Sequence, residues 1–118
     1  AARRIIVLGT PAPKGDDPII FEWFRTSGRY DHLLEARGLT YDTVRLPASV
    51  FQAKMWGVLQ DEFAAVALAG GAEFLPSPPE TRTEDHLLKR EFWHLDITHA
   101  NHAYGDVVKR QLLEYLAA

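Results

Sequence analysis

The run Arg4-Ile5-Ile6-Val7-Leu8-Gly9-Thr10 constrains the fold of this 118-residue chain more than any other stretch. It is apolar at successive positions, rich in β-branching, and closed by glycine and then by Pro11-Ala12-Pro13. An alternating strand needs cover on one face only. A continuous apolar strand needs cover on both, the condition met inside a parallel sheet flanked by helices. A second short piece, Ala72-Glu73-Phe74-Leu75, is stopped by Pro76-Ser77-Pro78-Pro79. The intervening chain is far too long for a hairpin and carries helical patterning. Residues 4–10 and 72–76 are therefore expected to be neighbouring parallel strands joined by a βαβ-type crossover, which places the chain in the α/β class.

Three helices are expected, near 28–37, 48–69 and 102–117. Ser27 can cap the first, with Tyr30, Leu33 and Leu34 on its inner face and Gly38 as its stop. Pro47-Ala48-Ser49 opens the longest, which ends at Gly70-Gly71. Phe51, Met55, Val58, Leu59, Phe63 and Val66 recur along it at three- and four-residue intervals, the pattern of a core-facing stripe. Trp56 falls off that stripe and is expected to pack on a neighbouring element. Asn101 can cap the last helix, whose inner face would be Tyr104, Val108, Leu112 and Tyr115, with Val107 and Leu116 alongside. Lys14 to Pro18 reads as a solvated turn. Ile19 to Phe24, five apolar residues in six, reads as core beneath a long loop. Leu39 to Leu46 fits either a loop or a short extended piece. Glu80 to Arg90 is polar, with His86 an exposed loop residue.

Composition bounds the alternatives. Hydrophobic residues at 47% and charged residues at 25% fit an ordinary globular domain, and the length allows one, 1–118. The net charge of −3 and the scattered basic residues offer no general attraction to nucleic acid or anionic membrane. No apolar run approaches the roughly 18 residues of a membrane span. Without cysteine there is neither a disulfide nor thiol catalysis. No signal peptide is visible, and the opening Ala-Ala-Arg-Arg points to a processed, trimmed or excerpted polypeptide. Two strands do not make a self-sufficient sheet. The sheet is expected to be completed by an N-terminal segment, a second chain or a copy of this one.

The chemistry concentrates in His94-Leu95-Asp96-Ile97-Thr98-His99-Ala100-Asn101-His102-Ala103-Tyr104-Gly105. A carboxylate three residues before an imidazole can accept its Nδ1–H, fix the tautomer and free Nε2 to take a proton, as in a hydrolytic triad. Alternatively, His94, Asp96, His99 and His102 carry donors that suit zinc or iron. A third reading is structural, with one histidine packing on the following helix and the others exposed.

An Asp-x-x-His turn followed by Asn and by Tyr-Gly in the closing helix resembles the final motif block of the SGNH (GDSL-like) hydrolases. The order strand, proline-rich loop, Asp-x-x-His and closing helix resembles the last third of that fold. The resemblance implies the C-terminal half of a three-layer αβα, flavodoxin-like domain with a short parallel sheet. It implies Asp96 and His99 as two members of a Ser-His-Asp triad for an ester or acyl substrate, with no cofactor and no metal. None of the three serines, Ser27, Ser49 and Ser77, stands in a Gly-Asp-Ser block, and the family's oxyanion Gly and Asn blocks are absent. The nucleophile is therefore expected from sequence outside this chain. The other functional expectation is a non-catalytic binding or assembly module that retains half of the fold.

Overall fold

The computed structural model describes residues 3–118. Strand β1 spans Ile6–Leu8 and strand β2 spans Glu73–Leu75. They pair in parallel, with Ile6 opposite Glu73, Val7 opposite Phe74 and Leu8 opposite Leu75. The ladder is extended by Glu73 N–H donating to the Ile5 carbonyl and Gly9 N–H to that of Leu75, both at 2.8 Å. Among the described residues this is a mixed α/β arrangement of one two-stranded parallel sheet and four α-helices. The strands are shorter than the apolar runs, and Ile5 and Leu8 are exposed. Cover on both faces, expected for so apolar a strand, is incomplete in this chain.

Helix α1, Pro18–Thr26, carries the apolar cluster Ile19 to Phe24 that was expected as core beneath a long loop. Asp17 caps it, its Oδ1 accepting from Ile19 N–H at 3.0 Å, and Pro18 takes the first helical position, where a missing N–H costs nothing. Five apolar residues in six had masked the helical period. Ser27 is the C-cap of this helix and not the N-cap of the next. Gly28, at φ 72°, turns the chain into helix α2, Asp31–Ala36. Leu34 is buried there, whereas Leu33 points to solvent. Gly38 ends α2 as expected. At φ 66° it closes a Schellman motif, with Gly38 N–H on the Glu35 carbonyl and Leu39 N–H on that of Leu34.

Helix α3, Ser49–Ala69, departs most from expectation. It packs on β2, and its less exposed row is Ala53, Gly57, Gln60, Ala64 and Ala67, with Trp56 beside them. Gln60 donates to Thr10 Oγ1 at 2.7 Å and accepts from Thr10 N–H at 3.0 Å, and Trp56 Nε1–H reaches the Thr10 carbonyl at 3.3 Å. A Cβ at Gly9 would stand 2.8 Å from Ser77 N and 2.9 Å from Gln60 Oε1, so glycine is required where strand and helix cross. The stripe Phe51, Met55, Val58, Leu59, Phe63 and Val66 lies exposed. The larger apolar row was expected inside; the helix instead turns its smaller row inward, and a two-stranded sheet leaves the larger one uncovered.

After β2 the chain makes 3₁₀ turns at Pro79–Thr81 and Arg90–Phe92, tied by an antiparallel bridge between Arg82 and Leu88. Helix α4, His102–Ala117, starts where Asn101 Oδ1 accepts from Tyr104 N–H at 3.2 Å. Its inner face is the expected one at Tyr104, Val108, Leu112 and Tyr115, although Leu116 is exposed. Ala12, Leu88 and Tyr104 form the buried core, packed by Trp56, Phe92, Trp93, Ala100 and Val108. That core sits at the carboxyl end of the sheet, directly beneath the histidine-rich turn.

Candidate functional site

The turn from His94 to Ala100 is pinned at both ends. His94 N–H donates to the His99 carbonyl at 3.0 Å, and Trp93 and Ala100 form an antiparallel bridge. Asn101 adds Nδ2–H bonds to the carbonyls of Glu91 and Trp93 at 2.9 and 3.2 Å. One side chain thus caps α4 and holds the base of the turn.

Within this frame the Asp96 carboxylate divides its oxygens between two tasks. Oδ1 accepts from the backbone N–H groups of Thr98 and His99, at 3.2 and 2.8 Å, which shapes the turn. Oδ2 lies 2.6 Å from His99 Nδ1. An ionised carboxylate only accepts, so Nδ1 carries the proton and Nε2 is left as the free lone pair. The ring is largely exposed, and no described side chain bonds Nε2. Burial alone would raise the Asp96 carboxyl. The hydrogen bonds from His99, with the bond and the charge of Lys14, outweigh it and hold the group well below the usual carboxylate range.

Lys14 is the unforeseen member of the site. The sequence places it in a solvated turn, yet only 4% of it is exposed. The loop leaving β1 carries it beneath the histidine turn. There Nζ donates to the His94 carbonyl at 2.9 Å, to the Asp96 carbonyl, and to Asp96 Oδ1 at 3.3 Å. The indoles of Trp23 and Trp93 flank the ammonium, their ring centres 5.5 and 5.7 Å away. Burial pushes the Lys14 ammonium down from its ordinary value, and the Asp96 carboxylate opposes that shift. No local pattern announces this arrangement, because Trp23 and Trp93 come from distant parts of the chain and a lone lysine after prolines normally reads as surface.

His99 borders a hollow of about 250 Å³ walled by Trp23, Ser27, Arg29, Tyr30 and Leu95. Helix α1 and the turn after it therefore form the wall opposite the imidazole. Pro11 to Pro13, leaving β1 at its carboxyl end, line an adjoining hollow of about 370 Å³. Ile97 and Thr98 stand on the boundary between the two. Between these prolines and just after them the loop dives inward, burying Ala12 and Lys14.

The serines fall as follows. Ser27 shares the His99 hollow, with its Oγ donating to the Phe24 carbonyl at 3.2 Å. Ser49 Oγ donates to Asp16 at 2.6 Å, and Ser77 is buried near the end of β2. No described serine is hydrogen-bonded to His99. The four candidate metal ligands are divided between two places. His94 and His102 line a separate hollow with Asn101 and Asp106, away from the one bordered by Asp96 and His99. Among the described residues no three His, Cys, Asp or Glu side chains are grouped as metal ligands, so the His94–His102 metal reading lacks a geometry. No described helix is long and apolar enough to cross a membrane.

No protein-family model, curated protein or solved structure matched this chain.

Proposed function

We propose that this chain is the C-terminal portion of an SGNH-like serine hydrolase acting on an ester or acyl group, within a three-layer, flavodoxin-like αβα fold. A single observation carries the reading: the 2.6 Å contact of His99 Nδ1 with an ionised Asp96, on an exposed ring whose Nε2 is free beside a hollow. His99 is then the general base that takes the nucleophile's proton and later returns it to the leaving group. Asp96 orients the ring and stabilises the imidazolium that forms. The serine nucleophile and the oxyanion donors come from a Gly-Asp-Ser-bearing segment or chain that also supplies further strands.

Two features of the fold support a partner of that kind. Among the described residues strand β1 has only β2 beside it, so its other edge offers unpaired backbone groups. The six exposed large residues of the α3 stripe leave several hundred Å² of apolar surface, roughly the scale at which a patch marks an interaction site. The same features serve the alternative, a binding or assembly module that keeps half of the fold without its chemistry.

An activated-ester assay separates the two. The isolated chain is expected to hydrolyse at background rate, since a base without nucleophile and oxyanion donors retains little of the machinery. Joined to a Gly-Asp-Ser segment it is expected to turn over. His99→Ala should then lower kcat sharply, and so should Asp96→Asn, which leaves the imidazole in the wrong tautomer. Full activity in the completed His99→Ala protein would exclude this mechanism. Turnover by the isolated chain that disappears in Ser27→Ala would place the nucleophile in the His99 hollow itself.

A further inference from the structure

Lys14 presents an ammonium with three donors to three oxygens of one turn: the His94 carbonyl, the Asp96 carbonyl and Asp96 Oδ1. Its donor capacity is filled. Oδ1 also receives Thr98 and His99 N–H, so that oxygen is saturated and Oδ2 alone remains for the imidazole. The carboxylate therefore cannot rotate to exchange its oxygens without breaking four bonds. Trp23 and Trp93 close the ammonium off from water, which raises the cost of any arrangement that leaves it or the two carbonyls unpaired.

We infer that Lys14 is a positioning residue for the Asp96–His99 pair, acting through Asp96 to hold His99 in the single tautomer with the proton on Nδ1. A hydrophobic plug in the slot between the two indoles would fill the same volume, but it would leave the His94 and Asp96 carbonyls and Oδ1 without the ammonium. Without the Lys14 bond and charge the carboxylate is held by the Thr98 and His99 N–H groups alone, and its grip on Nδ1–H weakens. The exposed ring is then released from Asp96 for part of the time, and the released ring can carry its proton on Nε2. The inference deepens the hydrolase reading and rests on it only in calling His99 a base.

Two NMR measurements on the chain decide it, and neither depends on ester turnover. In the wild type the Lys14 ammonium should give a protected ¹⁵N-coupled signal, exchanging at least ~10-fold more slowly than those of exposed Lys54 and Lys109. It should also show coupling across the hydrogen bond to the Asp96 carboxylate carbon. Lys14→Met keeps the length and apolar volume of the stem, so it serves as the plug. In that variant the imidazole ¹⁵N shifts of His99 should move from a single Nδ1–H form to a mixture of tautomers, with amide dispersion showing that the fold persists. A Lys14 ammonium exchanging as fast as Lys54 and Lys109 overturns the inference, even if Lys14→Met does not fold. So does a folded Lys14→Met protein whose His99 stays in the wild-type tautomer. If both measurements come out as expected and the completed protein still does not cleave esters, the hydrolase reading fails and the role of Lys14 stands.

Discussion

Replacing Asp96 by alanine tests the energetic side of the site. The substitution removes four acceptor contacts: Lys14 Nζ at 3.3 Å, Thr98 N–H at 3.2 Å, His99 N–H at 2.8 Å and His99 Nδ1 at 2.6 Å. Thr98 and His99 are exposed, so water can take over their donors at little cost. Lys14 is different, because its side chain is 1% exposed and cannot be rehydrated in place. Removing one partner of a buried ion pair costs about 3–5 kcal/mol. Asp96 keeps 35% of its side chain in solvent, and Lys14 retains two carbonyl acceptors, so roughly 2–3 kcal/mol is expected here. Asp96→Asn preserves an acceptor at Oδ1 and should lose only about 1–2 kcal/mol. Urea denaturation at pH 7 measures both.

The pH dependence follows in sign from the depressed carboxyl. Its folded value lies below the ordinary 3.8, so its contribution is present above about pH 4 and is lost as pH falls toward the folded value. The stability gap between wild type and Asp96→Ala should accordingly narrow from pH 7 to pH 2. An Asp96→Ala protein within about 0.5 kcal/mol of wild type at pH 7 would refute the reasoning, since surface substitutions fall in that range. A gap that stays constant into acid would refute the assigned role of the charge.

Other consequences can be checked on the same chain. Leu88→Ala, at a side chain 2% exposed in the core beneath the turn, should lower stability by about 2–4 kcal/mol in urea denaturation. Gly9→Ala should cost about 1–3 kcal/mol, because the new methyl meets the Ser77 backbone nitrogen at 2.8 Å and backbone cannot yield cheaply. Val58→Ser, on the exposed stripe of α3, should leave the stability of the isolated chain within about 0.5 kcal/mol while weakening association with whatever covers that face, as read by sedimentation. Glu73, bonded first by Arg4 and then by Tyr115, should titrate near 2 by carboxyl-carbon NMR, and Arg4→Met should move that midpoint upward.

The residues alone determined the parts of this protein that local physics decides. A continuous apolar run ended by glycine and a short piece ended by proline marked the two strands, and the long helical connection between them marked their parallel pairing. Gly38, Gly70 and Asn101 marked helix ends because their conformational freedom or capping oxygen acts within a few residues. The three-residue spacing of Asp96 and His99 sufficed to bring carboxylate and imidazole together, since one turn of chain spans that distance. Helix α1 escaped notice where nearly every position was apolar and the period vanished, although Asp17-Pro18 carried its start signal. Which face of α3 turns inward was decided by tertiary structure alone. Gln60 and Trp56, on the inward side, bond the Thr10 backbone and hydroxyl at the end of β1, and periodicity does not distinguish cover within the chain from cover by a partner. Lys14 belongs to the same category. Its burial depends on two tryptophans 70 residues apart in sequence closing over it, and on a turn some 80 residues downstream supplying its oxygens. Only the folded chain brings those groups to one point, where their combined hydrogen bonds offset the cost of taking a charge out of water.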